Sequence, residues 1–247
     1  QMSNDMRGAA ENLIIALEIL PTNTEALDSL GALAKVDPDA YDFKATYREL
    51  DKIYRKRDNA GPLLARVRVA EAFMKERDGD LDAAEKLYAK ANELCSGEFA
   101  ILMALVDLHV NMRRWEHAIS AIARFLKSPE PKTSDSEIRA MMRQAEIHSE
   151  CEMDPHRAIT VLRKVLKKDS SQQDAWYYLA QEQYLLQQYN EATESINRAI
   201  ELAAAPGKAI SPTKLARYYY YLGRIIESSR DARSAKSKYR RAMEYDP

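Results

Sequence analysis

The chain has 247 residues, a formal net charge of −1, 30% charged residues and a mean hydropathy of −0.52. This balance gives no sign of a general nucleic-acid binder, and no apolar run reaches the roughly 18 residues that a membrane helix needs. Only 7 glycines and few β-branched residues argue against a β-rich fold or a glycine-loop nucleotide site. The length predicts one or two domains of a soluble protein.

The rare residues give no sign of catalysis or of a metal site. Cys95 and Cys151 lie far apart, which predicts free buried thiols and favours a reducing, intracellular compartment, cytoplasmic or nuclear. His148, Cys151 and His156 superficially resemble metal ligands, but the second closely spaced pair of a zinc site is missing. The nucleotide-loop, hydrolase and zinc-protease motifs are also missing from the sequence. We therefore expect no enzyme activity, no metal and no cofactor.

The N-terminal quarter predicts three helices. Residues 1–22 predict a single helix with Ala9, Leu13 and Ala16 on one face. Residues 23–64 predict a helix pair, whose second helix covers about residues 39–57 with Asp37–Pro38 as N-cap and first residue. The faces of this pair carry Leu27, Leu30, Gly31 and Ala34, then Phe43, Tyr47 and Leu50.

A recurring pattern fills the chain from residue 65 onward. An alanine is followed four residues later by a larger apolar residue, and three residues after that by another apolar one. These spacings put all three on one helix face, where the alanine lets a second helix approach closely. The five occurrences are Ala84, Tyr88, Ala91; Ala118, Ile122, Phe125; Ala158, Leu162, Val165; Ala192, Ile196, Ala199; and Ala235, Tyr239, Ala242.

A second apolar position precedes each leading alanine by sixteen residues, with Arg68 as the exception; it is Leu102, Met142, Trp176 and Tyr219. Each unit is thus predicted to be two antiparallel helices joined by a short turn. The units begin near residues 65, 99, 139, 173 and 216, and the smallest spacing between them is 34 residues. Two insertions lead into helix starts, at Ser134-x-x-Glu137 as a capping box and at Ser211–Pro212 as N-cap and first residue.

The pattern resembles the tetratricopeptide repeat (TPR), a helix-turn-helix of 34 residues. The residues that carry the resemblance best are Trp176, Leu179, Ala180, Tyr189, Ala192, Ile196 and Ala199, then Tyr219, Leu222, Gly223, Ala235, Tyr239, Ala242 and Pro247. The resemblance implies an all-α, right-handed α-solenoid of antiparallel helix pairs with about six repeats, the first divergent. We expect the second helix of a truncated repeat in 1–22, a divergent pair in 23–64 (or an unrelated helical pair), and five units in 65–98, 99–138, 139–172, 173–215 and 216–247.

The resemblance also implies that the first helices of the units line a concave groove. Its exposed positions give a candidate partner-binding set that is rich in Tyr and Arg, the residues enriched at binding hot spots. The alternative is that these are ordinary surface residues. The candidate residues are Arg143, Tyr177, Gln181, Tyr184, Arg217, Tyr220 and Arg224.

The expected function is a non-catalytic scaffold or adaptor that binds a protein or peptide segment with acidic or aromatic anchors, within a larger assembly. One alternative is an accessory region of a multidomain enzyme, and a disfavoured one is a helical-repeat RNA binder, which is usually basic. Both ends of the sequence resemble cut repeats, so we expect a segment of a longer protein, and self-association through terminal repeats is a further option. We expect no membrane insertion and disfavour nucleic acid as a partner.

Overall fold

The computed structural model describes residues 2–205, 211–229 and 232–246, and the regular structure of these residues is entirely helical. The predicted closing residue Pro247 and residues 206–210 of the second insertion lie outside the described residues. The chain forms two compact units, Gln1–Lys132 and Thr133–Pro247. Each unit is a series of antiparallel helix pairs, so the all-α prediction is confirmed.

Within residues 2–132, the described part of the first unit, there are seven helices. They are α1 (Met2–Ile19), α2 (Thr24–Val36), α3 (Phe43–Tyr54), α4 (Gly61–Arg77), α5 (Leu81–Leu94), α6 (Phe99–Asn111) and α7 (Trp115–Lys127).

The N-terminal core differs from the prediction in two details. Helix α3 begins at Phe43 because the Asp42 carboxylate caps it, accepting a hydrogen bond from the Ala45 N–H at 3.0 Å. Asp37, the predicted N-cap, instead ends α2, since its own N–H donates to the Leu33 carbonyl. The predicted face of α3 is confirmed, and Phe43 and Tyr47 are fully buried.

The buried face of α1 is also offset from the predicted one. Ala10 and Leu17 are buried, while Leu13 and Ala16 are half-buried and Ala9 is exposed. The face that contacts α2 is therefore rotated from the one that the alanine pattern indicated.

In the second unit, the first helix changes to a π-helical turn at its end. Its elements are α8 (Ser134–Glu146), a π-helical turn (Ile147–Cys151), α9 (Pro155–Lys168), α10 (Gln173–Leu185), α11 (Tyr189–Ala203), α12 (Pro212–Ser228) and α13 (Ala232–Tyr245).

Several first helices begin earlier than the repeat pattern suggested. Helix α8 begins at residue 134 rather than near 139, and its N-cap is Thr133, whose hydroxyl oxygen accepts from the Ser136 N–H at 3.0 Å. Ser134 therefore occupies the first helical position and is not the cap. Ser211 caps α12 as predicted, accepting from the Lys214 N–H at 3.4 Å.

The small residue of the repeat lies where the two helices of a pair cross. A Cβ atom at Gly223 on α12 would lie 2.6 Å from Cε1 of Tyr239 on α13. In the preceding pair, Ala180 and Ile196 are both fully buried within one cluster. The pattern of small and large residues therefore sets how closely the paired helices approach.

Among the turns that the structure describes, four connect the two helices of a pair in the same way. Each turn has one residue with positive φ, and the next residue donates its N–H to a carbonyl in the last turn of the first helix. That carbonyl lies one residue further back in the third turn, because the π-helical turn adds a residue there. The positive-φ residues are Gly79, Arg113, Met153 and Gln187.

Candidate functional site

Helices α10 and α12 lie side by side in the second unit and carry most of the candidate residues. Asp174 at the start of α10 accepts hydrogen bonds from Lys214 Nζ at 2.9 Å and from the Tyr218 hydroxyl at 3.1 Å, both on α12. Tyr218 is only 1% exposed. These bonds fix the register of one first helix against the next.

Tyr177 was expected on an open surface, but its side chain is buried. It is 9% exposed, because the rings of Tyr218 and Tyr221 cover it with centroids 5.0 and 5.7 Å away. Its hydroxyl accepts a hydrogen bond from Gln181 Nε2 at 3.2 Å. Tyr177 therefore packs against its neighbours and presents little surface to a partner.

Arg224 is exposed and lies beside the half-buried Tyr184 and the buried Tyr221, which is 7% exposed. Its guanidinium lies 5.4 Å from the ring centroid of Tyr184 and 5.7 Å from that of Tyr221. The Tyr184 and Ser228 hydroxyls are 3.1 Å apart, which holds the Tyr184 ring in place. We call Gln181, Tyr184, Tyr221 and Arg224 the arginine–tyrosine surface. A guanidinium has five N–H donors in a planar fork, so Arg224 has the chemistry to donate two parallel hydrogen bonds to a carboxylate.

Several tyrosines of this region have a raised pKa and are neutral at physiological pH. Burial raises the pKa of Tyr177, Tyr178 and Tyr221 above the ordinary value. Burial together with a hydrogen bond to the Glu227 carboxylate raises the pKa of Tyr239 to about 12. The hydroxyls therefore act as hydrogen-bonding groups, and the arginines supply the charge.

Two other candidate residues line a separate groove at the end of the last pair. Arg217 and Tyr220 lie along a cavity of about 630 Å³ between α12 and α13. Tyr220 is 52% exposed and Met243 is 66% exposed. We call this cavity the terminal groove; its lining includes Arg217, Tyr220, Glu227, Tyr239, Met243 and Asp246.

The seventh candidate residue, Arg143, lies on α8 and forms an ion pair with Glu146 at 2.7 Å. The structure thus divides the predicted set in three. Gln181, Tyr184 and Arg224 lie together above the buried Tyr177, Arg217 and Tyr220 line the terminal groove, and Arg143 is placed on an earlier helix.

Sequence reasoning missed one buried carboxyl group. Glu182 on α10 is 5% exposed, and its Oε1 accepts a hydrogen bond from the Ser149 hydroxyl at 2.7 Å. Its Oε2 is buried without a hydrogen-bond partner among the described residues. Burial raises the pKa of this carboxyl group. The available signal was its position three residues after Leu179 and four before Leu186, on an otherwise apolar face.

Of the three residues that superficially resemble metal ligands, His148 contacts a carboxylate. Nδ1 of His148 lies 2.7 Å from a carboxylate oxygen of Glu152. In the described ranges, no group of three or more His, Cys, Asp and Glu side chains is placed to hold a metal ion. Cys95 and Cys151 are free as predicted, but both are half-buried rather than buried. Of the helices that the structure describes, none combines the length and the apolar character needed to cross a membrane.

Comparison with known proteins shows the fold. The sequence matches no protein-family model and no curated protein. The structure of MamA superposes with a TM-score of 0.56 at 18% identity, over 74% of this chain and 92% of MamA. YrrB, a TPR protein with an unusual peptide-binding site, gives 0.54 at 15% identity, over 81% of this chain and 92% of YrrB. PilF of Pseudomonas aeruginosa gives 0.53 at 16%, over 96% of this chain and 90% of PilF. The chain therefore has the TPR solenoid fold that its sequence resemblance implied.

Proposed function

We propose that this chain is a non-catalytic interaction scaffold that binds a segment of a partner protein through the arginine–tyrosine surface, as part of a larger assembly. The single observation that carries the proposal is the placement of Arg224 over Tyr184 and Tyr221. A charged fork held by two aromatic faces loses little conformational freedom when it binds a carboxylate. The partner segment is accordingly expected to carry an acidic or aromatic anchor.

The similarity in fold to YrrB supports a peptide or protein as the kind of partner. YrrB has a peptide-binding site, and the tyrosines and arginine of this surface are the residue types that dominate protein-binding hot spots. We infer also that the helix pairs from α4–α5 to α12–α13 are the five repeat units, and that α2–α3 is a divergent one. An intracellular location, cytoplasmic or nuclear, is proposed in keeping with the free thiols of Cys95 and Cys151.

The test is affinity purification of the tagged protein from its own cells, followed by mass spectrometry of the recovered proteins. Arg224→Ala should reduce recovery of a direct partner about tenfold or more, and Arg224→Lys should restore it only in part, because an ammonium group cannot bind a carboxylate with two parallel hydrogen bonds. Arg163→Ala is the matched control, since it removes an exposed arginine from α9.

Two outcomes of the purification would count against the proposal. Unchanged recovery by the Arg224→Ala protein, with its helical circular dichroism intact, would contradict the proposed surface. Recovery that nuclease treatment abolishes would favour the RNA-binding alternative, whose affinity should also fall steeply with salt.

A further inference from the structure

Tyr178 on α10 is an exposed aromatic side chain that neither the arginine–tyrosine surface nor the terminal groove includes. It is 45% exposed, and its ring centroid lies 5.6 Å from that of the buried Tyr177. The centroid of Tyr177 lies 5.7 Å from that of Tyr221, which in turn lies 5.7 Å from Cζ of Arg224. A continuous series of ring contacts therefore connects Tyr178 with the arginine–tyrosine surface.

The charge around Tyr178 is mostly negative. Burial raises the pKa of its hydroxyl, and three nearby carboxylates raise it further, while Arg217 lowers it. These carboxylates belong to Asp174, Glu146 and Glu150. Tyr178 and Arg224 thus lie at two ends of one surface that differ in the sign of their charge.

Two of these carboxylates already have a cation. Asp174 lies 2.9 Å from Nζ of Lys214, and Glu146 lies 2.7 Å from Nη1 of Arg143. Glu150 belongs to the π-helical turn and is exposed, and the described residues supply no ion pair or hydrogen bond for its side chain. Glu150 is therefore the carboxylate that a cation from outside would meet.

A buried carboxyl group lies on the same face of α10 as Tyr178. Glu182 follows Tyr178 by four residues, and its Oε1 accepts from the Ser149 hydroxyl at 2.7 Å, which places this face against the turn that carries Glu150. Glu182 is 5% exposed, and its Oε2 has no hydrogen-bond partner among the described residues. The neighbouring charge that acts on it is the Glu150 carboxylate, which has the same sign. We call Tyr178, Glu150 and Glu182 the cation subsite.

A lysine or arginine side chain fits the chemistry of this subsite. The face of an aromatic ring attracts a cation that lies within about 6 Å of its centroid. The aliphatic stem of either residue can cover the Tyr178 ring while its charged end reaches the Glu150 carboxylate. A cation there would also place a charge of opposite sign near Glu182.

The series of ring contacts limits how far apart two anchors of one partner segment can lie. Three steps of 5.6, 5.7 and 5.7 Å lead from Tyr178 to Arg224. An extended chain advances about 3.3 Å per residue, so a segment that contacts both ends needs its anchors about three to five residues apart.

We propose that the partner segment carries a second, basic anchor, a lysine or arginine that binds over Tyr178 beside Glu150, about three to five residues from the acidic anchor that Arg224 binds. This inference rests on the proposed function and adds the chemistry of the other end of the segment. A segment with two acidic anchors would place one of them near Glu150, and this like-charge contact disfavours it.

The test begins with random dodecapeptides displayed on phage and selected against the immobilised full chain. Peptides selected by the wild-type chain should be enriched in a basic and an acidic residue at the stated spacing. Glu150→Gln should lose the basic enrichment and keep the acidic one, whereas Arg224→Ala should do the opposite. Glu194→Gln replaces an exposed carboxyl group on α11 and should select the same peptides as the wild type.

Binding of one selected peptide then locates its cation. Fluorescence anisotropy compares this peptide with a version whose basic residue is replaced by glutamine. Glu150→Gln should weaken binding of the original peptide about fivefold and leave binding of the glutamine version unchanged. Tyr178→Leu should weaken binding of the original about threefold, and Tyr178→Phe, which keeps the aromatic face, should restore it.

The two proposals fail in different ways. Acidic enrichment without basic enrichment would overturn the cation subsite and leave the proposed function standing. Basic enrichment that persists in Glu150→Gln, or equal weakening of both peptides by that variant, would also overturn it. Basic enrichment alone, lost in Glu150→Gln, would support the subsite and contradict the acidic anchor at Arg224. The absence of any enriched peptide would contradict both proposals.

Discussion

The ring of Tyr239 occupies the space that a side chain at Gly223 would need. A Cβ atom at Gly223 would lie 2.6 Å from Cε1 and 2.7 Å from Cδ1 of that ring, well inside van der Waals contact. The hydroxyl of the same ring donates to Glu227 at 2.7 Å, so the ring is held at both ends and cannot easily move aside. The closest approach of α12 and α13 thus depends on one missing methyl group.

Gly223→Ala is expected to destabilise the second unit despite the higher helix propensity of alanine. Overpacking costs about 1–3 kcal/mol, which outweighs a propensity gain of about 1 kcal/mol. Urea denaturation followed by circular dichroism would measure the difference. The double variant with Tyr239→Leu should recover part of the loss. Gly8→Ala is the control and should not destabilise, because a Cβ atom there meets nothing within 4 Å.

Removal of the Asp174 carboxylate should loosen the contact between α10 and α12. Asp174→Ala leaves the buried Tyr218 hydroxyl without its acceptor, which costs about 1–3 kcal/mol. Asp174→Asn keeps an acceptor and loses only the half-exposed ion pair with Lys214, so it should cost below about 1 kcal/mol. Equal losses of unfolding free energy in the two variants would show that the Tyr218 bond contributes nothing.

Glu182 should make the stability of the second unit depend on pH. Burial raises its pKa in the folded chain, so its favourable contribution is complete below the unfolded pKa and is lost as pH rises through the folded one. Stability should therefore fall from about pH 4.5 upward, by at most about 1.4 kcal/mol per pH unit for one proton.

Glu182→Gln should flatten that part of the profile, measured as urea midpoints between mildly acidic and neutral pH. Glu194→Gln replaces an exposed carboxyl group on α11 and should leave the profile as it is. An unchanged slope in Glu182→Gln would mean that the carboxylate gains enough water or hydrogen bonds to ionise normally.

Arg68 is the exception in the apolar pattern. Its removal should lower the free energy of unfolding more than removal of a neighbouring arginine. Arg68 forms ion pairs with Asp51 and Glu71, and its side chain is only 12% exposed. Arg68→Ala leaves Glu71 without this cation and leaves Asp51 with the ion pair to the exposed Arg55 at 2.8 Å, and we expect a loss of about 2–4 kcal/mol.

Arg66→Ala provides the comparison for this loss. Arg66 pairs with Asp28, whose side chain is 58% exposed, so its removal should cost no more than about 1 kcal/mol. Thermal melts of both variants at low and high salt would compare them. A smaller loss for Arg68→Ala than for Arg66→Ala would show that the ion pairs of Arg68 with Asp51 and Glu71 contribute little to the contact between α3 and α4.

The sequence predicted the helix pairs well because their signal is local. The spacing of Ala192, Ile196 and Ala199, an alanine followed by two apolar residues, indicates directly which helix face is buried. Helix starts were less predictable where several capping residues are adjacent, as with Thr133 and Ser134, since each can accept the same N–H.

The candidate site was harder to predict because it depends on contacts between helices. Tyr177 and Tyr220 occupy equivalent positions, yet one is covered by the next helix and the other is open. Nothing within either helix distinguishes them. Glu182 was missed for a related reason, since its partner Ser149 belongs to a π-helical turn that no residue pattern indicated.

The turns between the two helices of four pairs are suitable places for spectroscopic labels. Three of their positive-φ residues, Arg113, Met153 and Gln187, already carry side chains in that backbone conformation, so exchange for another L-residue adds little new strain. A cysteine placed at each in turn, in a chain whose own thiols have been replaced, would carry a spectroscopic label at geometrically matched points. Such a series would report the unfolding of each helix pair in order, and would show whether the pairs separate one by one or together.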